Sequence, residues 1–287
     1  MSDYARHSRW TEPGPFVDRL AALPAAPAQL PDIVSGLVLH PLFASGQPRT
    51  AEPALRAIPE IISAILTRDP RPLDAPREPA GRVLGTCRTY ALVACAILRQ
   101  HGVPARLRVG FADYFIPGFW EDHWVCEVRG GDRWRLLDPE LPAGVRGRFG
   151  IAFDPADVPR DRFLVAAEAW QSLRRGERDP ARFGVSFLGL AGMGFAAGSL
   201  LRDVAALAKD ETMPWDYWGP VRDIRPNSEV PREWLPRFDA LAAATTPAPD
   251  NADAAAQIGA AFPWAALPPT ILSFPEGRPV EVTLDRA

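Results

Sequence analysis

The sequence predicts an α+β fold, and three features of residues 85–138 carry that prediction. Ala91 to Leu98 is apolar on every face and is closed by Gly102 and Pro104, which reads as a helix buried on most sides. Three strand-like runs follow, Arg106–Phe111, Glu121–Val128 and Trp134–Asp138, separated by turn signals. Helical spacing recurs before and after this block. The expected architecture is therefore a buried helix packed on an antiparallel sheet, with helical additions on both sides.

Cys87 falls in or just before the first turn of the predicted helix. Backbone N–H groups there lack intrahelical partners, and the positive end of the helix dipole favours a thiolate. A buried structural thiol fits the same position equally well, because free cysteine is usually buried. The strands separate the two readings. Arg129-Gly130-Gly131-Asp132 is a hairpin signal, and a two-residue Gly130-Gly131 loop sets Glu127 opposite Trp134, Val125 opposite Leu136 and His123 opposite Asp138. Directly opposed side chains have Cβ atoms about 4.5–5.5 Å apart, within reach of an imidazole–carboxylate hydrogen bond. A slip of one residue would turn Asp138 to the other face. A cysteine at a helix start with a histidine and an aspartate on successive strands is the layout of nucleophile, base and orienting acid.

The other groups near this layout have plainer expectations. Strand alternation points Asp122 away from His123, so Glu121 and Asp122 rank behind Asp138 as the acid. Cys126 shares the Trp124 face and Cys95 lies two helical turns beyond Cys87, and both read as core. The aromatic loop Tyr114–Glu121 is either a cleft wall or a packing patch. As a wall it would offer Tyr114, Phe115 and Trp120 to substrate, with Trp124 beyond it on the strand. Neither metal-ligand spacing nor a G-x-G-x-x-G phosphate loop is present, so no metal and no cofactor are expected.

Four phrases match the motifs of a known family: Gly85-Thr86-Cys87-Arg88, Gly102-Val103-Pro104-Ala105-Arg106, Asp122-His123-Trp124-Val125 and Leu137-Asp138-Pro139. Through them the block resembles the core of the transglutaminase-like superfamily, relatives of the papain-type cysteine proteases. The resemblance implies Cys87 as nucleophile, His123 as base and Asp138 as orienter. A wider likeness to a bacterial subgroup of that superfamily runs through Tyr114-Phe115, Arg162-Phe163-Leu164, Asp179–Gly184, Leu201-Arg202-Asp203 and Met213–Asp216. It covers most of residues 10–220. The Gly192–Ser199 run departs from it, being smaller and less polar.

The flanks divide the chain into four expected segments: a proline-rich and helical extension over 1–80, the core over 81–150, a helical addition over 151–244, and a linker with an extended tail over 245–287. Glu52 to Leu66 has helical spacing with a kink expected at Pro59. Helical patterns cover Asp161–Arg174 and Gly189–Lys209, and Val185–Leu201 reads as a buried helix or glycine-broken segment too short to span a bilayer. His40, before Pro41, reads as a packed or surface histidine. Trp215, Tyr217 and Trp218 either line a pocket or staple the C-terminal half to the core, and stapling is the plainer reading. Pro279–Leu284 reads as an edge strand.

Composition bounds the rest. The 287 residues carry 47% hydrophobic side chains, enough for a real core, and a formal charge of -3, which gives no reason to expect nucleic acid. Arginine almost wholly replaces lysine, with Lys209 alone, a mark of coding bias. Three cysteines without pairing or C-x-x-C spacing fit a reducing compartment, and Met1–His7 lacks the apolar core of a signal peptide. The expected setting is cytoplasmic, with no membrane partner and an open oligomeric state. The expected activity is cysteine-dependent acyl transfer on an amide or thioester, as an amide-forming transferase or an amidase or peptidase. The substrate would be a small-molecule or peptidyl acyl group, free or bound to a carrier or coenzyme A. The alternative from another class is a catalytically inactive binding or scaffold module of the same fold.

Overall fold

The protein is described by a computed structural model over residues 3–43, 55–246 and 248–284. Its contacts group the chain into two compact units, each made of two stretches: Met1–Leu107 with Val125–Val158, and Arg108–Trp124 with Pro159–Ala287. The boundaries between these units pass through two strands.

The first unit contains α1 (Val17–Ala21), α2 (Leu30–Ser35), β1 (Val38–Leu39), α3 (Ile58–Arg68), β2 (Val83–Leu84) and α4 (Cys87–Gln100). The start of β3 (Ala105–Ala112), the end of β4 (Trp120–Gly130), β5 (Arg133–Leu137) and α5 (Ala143–Phe149) complete it. Helix α4 is its centre. Every residue from Cys87 to Arg99 is buried, as the all-round apolar run predicts. Two of its polar side chains reach neighbouring segments: the Tyr90 hydroxyl donates to Val38 O at 2.9 Å and accepts from His40 N at 3.0 Å. Arg99 donates from Nε to Ala105 O and from Nη1 to Thr11 Oγ1, each at 3.0 Å. Cys95 on α4 and Cys126 on β4 both have no exposed surface. The core reading of this pair holds.

Two local expectations change. Pro59 does not kink a helix; it sits in the first turn of α3, where its missing N–H costs nothing, and Glu60 Oε2 accepts from Arg56 N and Ala57 N. Residues 52–54 of the expected helix lie outside the described residues. The second change is the hairpin register: β4 and β5 pair Gly130 with Arg133 and Cys126 with Leu137. The loop is therefore Gly131-Asp132, not Gly130-Gly131. Gly131 has φ 65° while Asp132 stays at negative φ, which is the glycine-first arrangement a two-residue hairpin favours.

The second unit contains the remainders of β3 and β4, then β6 (Phe163–Val165), α6 (Ala166–Arg174), β7 (Phe183–Val185), β8 (Leu190–Ala191) and α7 (Met193–Leu207). Beyond these come β9 (Asp216–Tyr217), α8 (Leu235–Ala244), α9 (Ala252–Ala261), β10 (Thr270–Ser273) and β11 (Val280–Thr283). Strand order is β6-β3-β4-β7-β8, with β7 parallel to β4 through Trp120↔Phe183 and Glu121↔Gly184. A separate sheet runs β11-β10-β9, so β11 is an edge strand as expected.

The patterns at 161–174 and 189–209 are shortened at their starts. Phe163–Val165 is taken by β6, and α7 begins only at Met193, after Gly192 at φ 98°. Asp203 anchors α7 to β3: it accepts from Arg108 Nε at 3.0 Å, Arg108 Nη2 at 2.8 Å and Val109 N at 2.8 Å, with both side chains buried. Trp218 is buried and donates to Ala265 O at 2.9 Å, within this same unit.

Candidate active site

Cys87 is the first residue of α4 and is 8% exposed. Three local features put it there. Gly85 lets the chain pass Thr89, since a Cβ at Gly85 would lie 2.7 Å from that side chain. Thr86 is extended at φ -89° and ψ 177°, and its carbonyl accepts Thr89 N at 2.8 Å, which starts the helix. The Thr86 side chain does not cap the helix, and its hydroxyl is buried without a hydrogen-bond partner among the described residues. No acidic residue occupies the first turn, so no side-chain charge there opposes the positive end of the dipole.

Asp138 follows β5 directly and has no exposed surface. Its backbone N donates to Pro155 O at 2.8 Å, and its Oδ1 accepts from Glu140 N at 2.9 Å. The observed register, carried one residue past Cys126↔Leu137, aligns Asp138 with Val125. The expected direct opposition of His123 and Asp138 is thus corrected, and the cause is the shifted turn.

His123 lies on the β4 stretch of the second unit and is 3% exposed. Aromatic edges surround it: ring centroids of Phe115, Tyr114 and Phe163 lie 5.0, 6.0 and 6.3 Å from its own. Tyr114 is buried, and Phe115 is half-buried against it at 4.7 Å. Trp120 is half-buried and stacks on Phe183 at 5.5 Å, with the Arg178 guanidinium 4.6 Å from its ring. Trp124 has no exposed surface, so it is core and not cleft wall.

The two rival acids have environments of their own. Glu121 Oε1 accepts from Ser186 N at 3.0 Å, and burial raises its pKa despite that bond. Burial pushes Asp122 up to about 6, partly opposed by Arg202 and His123. Asp122 Oδ1 has no hydrogen-bond partner among the described residues. Arg202 is buried on α7 and donates to Ser199 Oγ at 3.3 Å and Asp216 O at 3.4 Å. Burial, and then the neighbouring Cys95 thiol, raises Cys126 well above the ordinary thiol range. Sequence reasoning passed over the Thr86 hydroxyl; its signal was a threonine at a helix cap.

An α+β fold that starts a buried helix with a cysteine, with a histidine on a strand and an aspartate just after one, is that of a cysteine-type catalytic domain. Residues 51–139 match the family model of the transglutaminase-like superfamily. The matched stretch contains Cys87, His123 and Asp138. A crystal structure named as that of a putative cysteine protease from Cytophaga hutchinsonii is similar at 15% identity and a TM-score of 0.34. The match covers 56% of this chain and 44% of that one, so the chain spans less than half the length of that protein. No curated protein matches. Among the described residues no helix is long and apolar enough to cross a membrane.

Proposed function

We propose that this protein is a cysteine-dependent acyl-transfer enzyme with Cys87 as nucleophile, His123 as general base and Asp138 as the group that orients it. One observation carries the reading: Cys87 is the first residue of a buried helix and lies inside the transglutaminase-like segment. A helix start stabilises the thiolate, the form that reacts. In support, Val125 and His123 are two residues apart on β4 and so share a face, and Asp138 is in line with Val125.

The chemistry follows from those roles. His123 takes the Cys87 proton, and the sulfur attacks an amide or thioester carbonyl. The oxyanion is met by the Cys87 backbone N–H and by the Thr86 hydroxyl, which has no hydrogen-bond partner among the described residues. Collapse expels an amine or thiol that takes its proton from His123, leaving a thioester on Cys87. Water then releases an acid, or an amine releases an amide, and the Cys87 thiol is restored.

Iodoacetamide labelling as a function of pH tests the nucleophile. Cys87 should alkylate fast and already at neutral pH, while Cys95 and Cys126, both without exposed surface, should stay protected until the protein unfolds. Faster labelling of either buried cysteine, or a Cys87 no faster than in the denatured chain, would remove Cys87 from the role.

A further inference from the structure

The second unit holds an open cavity of about 470 Å³ whose walls include Phe119, Val185, Leu190 and Met193. One of its walls, Phe119, immediately precedes β4, the strand that bears His123. Ser186, which lines it, donates its N–H to Glu121, two residues before His123 on β4. Glu121 and His123 alternate onto one face, and two strand residues span only about 7 Å.

Its chemistry is selective. Among the lining residues the sole charged side chain is Glu229, and none is lysine or arginine. The start of α7 also borders the cavity, and two amides there are engaged by protein carbonyls. Gly192 N donates to Pro180 O at 3.1 Å and Phe183 O at 3.2 Å, and Gly194 N to Ser228 O at 3.2 Å. A phosphate or carboxylate would meet no cationic side chain here and would face the Glu229 carboxylate. An uncharged apolar group would find aliphatic and aromatic walls.

The rim extends the apolar surface. Phe187 and Leu188, on the turn between β7 and β8, are 58% and 59% exposed. The turn is held rigidly enough to present them. Asn227 donates from Nδ2 to Gly189 O at 2.9 Å, accepts from Ala191 N at Oδ1 at 2.7 Å, and donates its own N–H to Ala191 O at 2.7 Å. Those bonds also occupy the outer polar groups of β8, so an incoming chain would be recognised here through side chains and not by adding a strand.

We propose that this cavity and the Phe187–Leu188 rim form a subsite for a bulky, uncharged apolar side chain of a peptidyl acyl donor. The inference rests on the acyl-transfer reading for its reaction, though not for its binding. A volume of this size is within the roughly 300–1,000 Å³ typical of ligand pockets. Together with the exposed rim, it suits a peptide better than a short acyl chain alone. It assigns specificity to Phe119, Val185, Leu190 and Met193, none of which touches the reacting carbonyl.

The test separates binding from chemistry. Calorimetric titration of the full-length Cys87→Ala protein would use two probes, N-acetyl-Phe-Leu-amide and N-acetyl-Asp-Glu-amide. The apolar probe should bind saturably and at least tenfold more tightly than the acidic one. Ala181→Trp, which fills the cavity from an exposed position, should weaken the apolar probe about tenfold, and Phe187→Ser should weaken it by a smaller factor. Equal binding of the two probes, no saturable binding, or indifference to both substitutions overturns the subsite. The acyl-transfer reading fails separately: probe binding that obeys these rules in a Cys87→Ala protein that still turns over donor would retain the subsite and remove the nucleophile.

Discussion

Removing the Asp203 carboxylate should unfold this protein's second unit more readily than any change at its surface. The perturbation is Asp203→Leu. In the parent, Asp203 accepts three hydrogen bonds, two from Arg108 and one from Val109 N, and neither charged side chain is more than 1% exposed. The single substitution breaks a buried ion pair and leaves the Arg108 guanidinium with the attraction of Glu168, a loss of about 3–5 kcal/mol. The double change Arg108→Met with Asp203→Leu removes both charges of the pair and leaves the Val109 N–H without its Asp203 acceptor, a loss of about 1–3 kcal/mol. The double variant should therefore be more stable than Asp203→Leu alone, although it carries more substitutions. Urea unfolding at neutral pH, with an unchanged denaturant slope, measures all four corners of the cycle. An Asp203→Leu protein within about 1 kcal/mol of the parent, or strictly additive losses, would refute the argument that this pair anchors α7 to β3.

Other substitutions read the site and its surroundings. Asp138→Asn should keep the fold and lower turnover by roughly 10²–10³, less than the ~10⁴ of the serine-triad case, because a helix-start thiolate depends less on proton removal; steady-state rates check it. Thr86→Val should lower kcat with little change in KM, and Thr86→Ser should restore much of it, which kinetics with one acyl donor would show. Cys126→Ser should cost about 1–3 kcal/mol by burying a hydroxyl among apolar neighbours, with no loss of activity in the folded fraction. Asp122 has a folded pKa near 6 against an ordinary value of 3.8, so the native state binds its proton more tightly than the unfolded chain does. Its contribution therefore makes stability fall as pH rises from about 4 to about 6. Asp122→Asn should remove that slope and stabilise the protein at pH 7; denaturation midpoints across that window, unchanged by the substitution, would contradict it.

Much of the core was legible because single residues dominate it. An apolar run on every helical face has no place except inside, so α4 and the cysteine at its start followed from spacing alone. The strands were legible for the same reason, through alternation and turns. The hairpin register was not, because Arg129-Gly130-Gly131-Asp132 offers two glycines and only the backbone decides which takes positive φ. Pro59 illustrates a second ambiguity: proline inside a helical pattern marks a start as readily as a kink, and the choice fell to the capping bonds of Glu60. The Leu201-Arg202-Asp203 motif was visible as sequence, yet its structural role depends on a partner, Arg108, that lies 95 residues away. The cavity was out of reach for a like reason, since its lining comes from residues 119, 180–193 and 227–229.

The central claim, a thioester acyl-enzyme on Cys87, is tested most directly by intact-mass analysis after brief exposure to a panel of acyl donors. The predicted result is a single acyl adduct that peptide mapping places on Cys87, that hydroxylamine releases, and that is absent from Cys87→Ala. An adduct on Cys95, Cys126 or a hydroxyl side chain, or turnover of a donor by Cys87→Ala, would contradict it.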